Sequence, residues 1–180
     1  MPTKPVAIIL IGYRATGKTT VGKLLAGKLG YSFIDTDHAI EQDAGVSISA
    51  MVAQHGWNSF RAKEKDMLAR LATKKDHVIA TGGGAILHQD IWPQIKEHNL
   101  VIWLKADIAT ICSRLAGDAA SPSQRPSLTG ADIQQEVAGV LGERTPLYES
   151  SCHLSLDASA PVVDIVTDAL HHIKKLTKKG

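Results

Sequence analysis

At 180 residues the chain is long enough to bury a substantial core and short enough that two domains of ordinary size are excluded. Hydrophobic residues at 44% and charged residues at 21% are usual for a folded globular protein and exclude a disordered one. The formal net charge of +2 argues against a nucleic-acid-binding surface, since the one basic cluster, Lys174, Lys175, Lys178 and Lys179, reads as a solvated helix end.

The first element is an apolar run, Val6 to Ile11, too short for a signal-peptide core or a membrane span and suited to a buried strand. Gly12 to Thr19 then read G-Y-R-A-T-G-K-T, a full match to the G-x-x-x-x-G-K-[ST] phosphate loop. A helix-period segment follows, with Val21, Leu24, Leu25 and Leu29 on one stripe. A strand feeding a helix start aims consecutive backbone N–H groups at one small volume, where an anion fits. Gly12, Ala15, Thr16, Gly17, Lys18, Thr19 and Thr20 would form this cradle, with Lys18 on the outer phosphates and the Thr19 hydroxyl on an accompanying Mg2+. An ordinary glycine-bearing turn is the competing reading, and the strand-helix setting disfavours it.

The next strand, Ser32 to Ile34, ends in F-I-D-T-D. This puts Asp35 and Asp37 at the carboxyl end of a parallel strand, where open α/β sheets bind ligands. In an extended segment both project to one side, so one could serve a metal ion and the other a substrate. Alternatively, Asp37 caps the helix that begins at His38. Residues 37–74 keep helical periodicity, broken at Gly45 and at Gly56-Trp57, and predict a small helical insertion. Within it Phe60, Met67, Leu68 and Leu71 form a core stripe, and Arg61 stands apart from that stripe.

The run His77 to Ala80 leads into Gly82, Gly83 and Gly84. Three glycines in a row suit either a tight turn or a ligand lying against bare backbone. A further strand is expected over Leu100 to Leu104. Residues 116–130, with Leu128 their one large apolar side chain, predict either a surface linker or a lid carrying Arg125. Arg144 precedes Pro146, which is expected to end a helix. A weaker strand, Cys152 to Leu156, and an amphipathic helix with Val162, Ile165, Val166, Ala169, Leu170 and Ile173 complete the chain. Short apolar strands alternating with helices require a parallel sheet covered on both faces, and one α/β domain over 1–180. Arg61, Arg125 and Arg144 are either surface charges or forks for carboxylate and phosphate oxygens. Cys112 and Cys152 are forty positions apart without metal or redox spacing, which fits reduced structural thiols in a cytoplasmic protein. No long apolar stripe is left over, so a monomer without membrane or nucleic-acid partners is expected.

In this order, G-Y-R-A-T-G-K-T-T-V-G, F-I-D-T-D, F-R-A-K-E, A-T-G-G-G, R-P-S-L-T-G and E-R-T-P-L-Y resemble the shikimate kinase family along nearly the whole chain. An arginine inside the phosphate loop and the long lid are most similar to the bacterial type called shikimate kinase II. The resemblance implies a five-stranded parallel sheet flanked by helices, a P-loop kinase of the nucleoside monophosphate kinase class with a substrate-binding helical insertion and a lid. It implies transfer of the γ-phosphoryl group of ATP to the 3-hydroxyl of shikimate. Asp37, Arg61, Gly83 and Arg144 would bind shikimate, within the site formed by Gly82, Gly83 and Gly84, and the two arginines would grip its carboxylate. Thr19 and Asp35 would serve Mg2+, Arg125 would close on ATP, and Arg114 would stack near adenine. Lys18, Asp37 and Arg125 would be the catalytic set. The chain departs from the family at Ala15, where glycine is common. A gluconate kinase of the same superfamily, or a nucleotide-binding module without catalysis, are the competing readings.

Overall fold

The computed structural model describes residues 6–117 and 132–177. Five parallel strands form one sheet in the order β2-β3-β1-β4-β5. They are β1 (Ala7–Ile11), β2 (Ser32–Asp35), β3 (His77–Ala80), β4 (Leu100–Lys105) and β5 (Leu154–Asp157). β1 lies in the middle because its five residues are all apolar and all buried, which suits a strand covered on both faces.

Alternation along β1 divides the core in two. Ala7, Ile9 and Ile11 pack with Ile40, Met51, Phe60, Leu68, Trp92 and Tyr148. These come from α2 (Thr36–Ala44), α3 (Ile48–Leu71), α4 (Trp92–His98) and α6 (Ile133–Ser151). Ile8 and Leu10 pack on the other face with Val21, Leu25, Ile165, Val166 and Ala169, from α1 (Lys18–Leu29) and α7 (Val162–Thr177). α5 (Ile108–Gly117) joins α6 in a smaller cluster around Ile111 and Val137 that also encloses Tyr13.

The stretch 37–74 consists of α2 and α3. Gly45, at φ 68°, closes α2, and Gly56, at φ 76° and ψ 167°, kinks α3. Pro146 does not end a helix, contrary to the expectation from its position. α6 continues through it to Ser151, because Tyr148 in the following turn is buried and stacked on Trp103 at 5.5 Å between ring centroids. Packing of that turn outweighs the single hydrogen bond a proline removes. The fifth strand begins at Leu154, two residues later than its apolar pattern suggested. Most of the expected lid, including Arg125, lies outside the described residues.

Candidate functional site

A cavity of about 420 Å³ opens at the carboxyl end of the sheet, where β1, β2 and β3 run into their following loops. One side of it is the phosphate loop. Gly17 at φ 86° turns the chain into α1, whose first N–H groups are oriented at the cavity by this turn. Lys18 Nζ donates to the carbonyls of Gly12 at 2.9 Å and Tyr13 at 2.7 Å, folding the loop around the ammonium group. The Thr16 hydroxyl donates to the Tyr13 carbonyl at 2.8 Å, a bond internal to the loop. Ala15 sits at φ 62°, in the left-handed region. This is the physical reason that glycine suits the position, since a Cβ is unfavourable there.

At the end of β2 the Thr19 hydroxyl donates to Asp35 Oδ2 at 2.7 Å. Asp35 Oδ1 accepts from the N–H groups of Asp37 at 3.1 Å and His38 at 3.4 Å. Asp35, rather than Asp37, therefore caps α2. The strand stops at Asp35, so Asp37 falls in the first helical turn instead of on an extended segment. Both carboxylates still reach the cavity. Thr36, between them, is buried, and its Oγ1 accepts from the Gly82 N–H at 2.9 Å, which joins the ends of β2 and β3.

The triple glycine packs against charged side chains. A Cβ on Gly82 would stand 2.4 Å from Asp37 Oδ1, and one on Gly84 would stand 2.0 Å from Arg61 Nη1. Both substitutions would force side chains of the site to move. Arg61 donates to Glu64 Oε2 at 2.6 Å, and its guanidinium lies 5.2 Å from the ring centroids of Trp57 and Phe60. Arg144 Nη1 and the Tyr148 hydroxyl both donate to the Gly83 carbonyl, at 2.9 and 3.2 Å. Burial pushes the Tyr148 hydroxyl up to about 12, against the opposing pull of Arg144, so it remains a neutral donor across the ordinary pH range. On the far side of the loop Arg114 donates to the carbonyls of Ala15 at 3.3 Å and Ala158 at 2.7 Å.

Lys18, Thr19, Thr20, Asp35, Asp37, Arg61, Gly83, Gly84, Arg114 and Arg144 thus line one cavity, together with Ala15 and Gly17. Gly12, Thr16 and Gly82 support it from behind through the bonds described above. Glu64, buried in the cavity wall, is the last residue of F-R-A-K-E and has no role in the sequence-based expectation; its signal is the three-residue spacing from Arg61, which stacks the two on one helix face. The same holds for Tyr148, the last residue of E-R-T-P-L-Y, four residues beyond Arg144 on α6 and therefore on the same face. Arg14, paired with the buried Glu136, and Tyr13 line the cavity as well.

Thr19 and Asp35 supply hard oxygen ligands beside the phosphate cradle, which fits Mg2+. Among the described residues no cluster of three or more His, Cys, Asp or Glu could hold a metal ion, and Mg2+ bound with substrate phosphates needs none.

A family model described as Shikimate kinase matches residues 14–174. The chain is 43% identical over 164 residues to "Shikimate kinase 2" of Yersinia enterocolitica, covering 91% of this chain and 93% of that one. It is 40% identical over 161 residues to "Shikimate kinase" of Nitratidesulfovibrio vulgaris, covering 89% and 91%. Among solved structures, shikimate kinase from Acinetobacter baumannii in complex with shikimate superposes with a TM-score of 0.88 at 31% identity, over 97% of this chain and 98% of that one. A gluconokinase from Sinorhizobium meliloti, at 18% identity and a TM-score of 0.63, shares the fold alone.

Proposed function

Because this chain belongs to the shikimate kinase family, we propose that it transfers the γ-phosphoryl group of ATP to the 3-hydroxyl of shikimate, giving shikimate 3-phosphate and ADP. The reaction would serve the shikimate pathway of aromatic amino-acid biosynthesis. The observation that carries the reading is the single cavity joining Lys18 of the phosphate loop to Asp37, Arg61, Arg144 and the glycine turn. Nucleotide and acceptor can meet there end to end.

A loose phosphoryl-transfer transition state asks for alignment and charge neutralisation more than for covalent help. The loop amides and Lys18 hold the phosphates of ATP. Thr19 and Asp35 would hold Mg2+, which supplies further neutralisation of phosphate charge. Arg61 and Arg144 grip the shikimate carboxylate, and the ring settles against Gly83 and Gly84. Asp37 accepts the hydrogen bond of the reacting hydroxyl and orients its lone pair toward the γ-phosphorus. The proton leaves to Asp37 as the new O–P bond completes and the bond from the γ-phosphorus to the β–γ bridging oxygen breaks, releasing ADP. Arg125 belongs to this proposal as the lid arginine on ATP, and Arg114 as the residue beside adenine.

Two further parts of the reading have their own support. Cys112 and Cys152 are both free thiols, in keeping with a reducing cytoplasm. Among the described residues the exposed large apolar side chains, Val46, Trp57, Leu87, Ile133 and Val163, fall singly on different turns and helices, in keeping with a monomer. Among the described residues no helix is long and apolar enough to cross a membrane. The test of function is coupled ADP release from the purified protein with Mg2+ and ATP. Turnover with shikimate, and none with gluconate or a nucleoside monophosphate, is the expected result. Nucleotide binding without shikimate-dependent turnover would overturn it.

A further inference from the structure

Arg61 is held on three sides by residues of the cavity wall, and one of these, Glu64, is itself held from outside the cavity. Its guanidinium lies over Trp57 and Phe60 and donates to Glu64 Oε2 at 2.6 Å. The same oxygen meets His88 Nε2 at 3.0 Å. Glu64 is 1% exposed and His88 10%, so this carboxylate is neutralised by the protein and not by water. Among the described residues its side-chain hydrogen-bond partners are Arg61 and His88. A carboxylate beside an arginine accepts only, which makes His88 Nε2 the donor. His88 is placed by the short 3-10 turn Ala85–Leu87, which it closes by donating its N–H to the Ala85 carbonyl at 3.3 Å. That turn follows Gly84 directly. The imidazole thus ties the glycine turn to the middle of α3.

We propose that His88 is a positioning residue for acceptor recognition: through the shared oxygen of Glu64 it fixes the guanidinium of Arg61 in the orientation that receives the acceptor's carboxylate. This rests on the shikimate kinase reading of the site. The physical ground is the cost of a buried carboxylate. With two donors, Glu64 keeps a fixed rotamer and shares its charge. With His88 gone, the guanidinium is left to compensate Glu64 alone, and it is drawn into that pair at the expense of the substrate. His88 does not line the cavity, so it touches neither substrate nor nucleotide.

The test is steady-state kinetics of the full chain with H88A and H88Q. H88A should raise the KM for shikimate roughly three- to tenfold, less than the full loss of a hydrogen bond to a charged group because Arg61 itself stays in place, with kcat within about twofold and the KM for ATP unchanged. H88Q, which returns an N–H donor at similar reach, should restore the wild-type KM. Shikimate methyl ester, which has no carboxylate for Arg61 to grip, should show the same KM with H88A as with wild type. H88L keeps the packing volume without the donor and serves the same comparison if H88A folds poorly. An unchanged KM for shikimate in H88A and H88L overturns the inference, as does an equal loss with the ester or a parallel rise in the KM for ATP. These outcomes leave wild-type turnover intact and so refute the role of His88 alone. Absence of shikimate turnover in the wild type would refute the acceptor assignment and this inference with it.

Discussion

Gly84→Ala isolates the contribution of Arg61 without touching it. Gly84 has φ −96° and ψ −9°, a backbone that alanine adopts freely, so the substitution introduces no main-chain strain. Its Cβ, however, would stand 2.0 Å from Arg61 Nη1 and 2.4 Å from Cζ and Nη2. Those atoms are the far end of a flexible side chain, so the guanidinium yields and the turn stays. Yielding breaks the 2.6 Å bond to Glu64 and removes the guanidinium from its place in the cavity wall. A hydrogen bond to a charged group contributes about 1.5–3 kcal/mol, which corresponds to a loss of roughly ten- to a hundredfold in kcat/KM for shikimate. The nucleotide side, anchored by Lys18 and the loop, should keep its KM for ATP. The assay is coupled ADP release with each substrate varied in turn, with thermal melting as the control for folding. Wild-type kcat/KM for shikimate in a folded G84A protein would refute the placement of Arg61 in acceptor binding.

Asp37→Asn keeps the size of the side chain and loses its charge, so turnover should fall by about a hundredfold or more while ATP affinity measured by titration stays within about twofold. Unchanged turnover would remove Asp37 from the reaction. Ala15→Gly relieves a left-handed alanine worth about 1–2 kcal/mol and gives back about 0.4–1 kcal/mol in unfolded-chain entropy, so a melting temperature higher by roughly 2 °C is expected by calorimetry. His153 is pushed down to about 4, first by burial and then by the Lys96 cation, and its Nδ1 accepts from the Val101 N–H at 3.1 Å, which requires that nitrogen unprotonated. A histidine lowered from 6.5 in the fold contributes stability that is present above about pH 6.5 and is lost as pH falls toward about 4. Melting temperatures measured across that window should decline, and His153→Asn should flatten the decline.

Apolar pattern located β1, β3 and β4 because each is a short run buried on both faces, and the phosphate loop announced its own geometry through its spacing. The amphipathic stripe of α7 was equally plain, since Ile165, Val166, Ala169 and Ile173 all turn inward. What sequence could not resolve was decided by tertiary contact. Pro146 reads locally as a stop, and only the stacking of Tyr148 on Trp103 keeps α6 going. The sequence offers Asp37 as a cap for α2, and Asp35 takes that place because β2 stops pairing with β3 at Asp35, opposite Ala80. Glu64 and His88 are 24 positions apart, and nothing local joins them. Their meeting is a product of the β3 crossover. Sequence reasoning finds residues that act through a neighbour in the chain more readily than residues that act across the sheet.

One carbonyl in the floor of the cavity has a chemical consequence of its own. An amide oxygen carries two lone pairs, and at Gly83 both are taken, one by Arg144 and one by Tyr148. The Gly83 carbonyl has therefore no acceptor left to lend. A ligand group resting there gains nothing by donating to that oxygen, whereas a hydroxyl or an acid group can accept from the guanidinium groups of Arg61 and Arg144 that line the same cavity. Two side chains of α6 thus set what a stretch of bare backbone can offer.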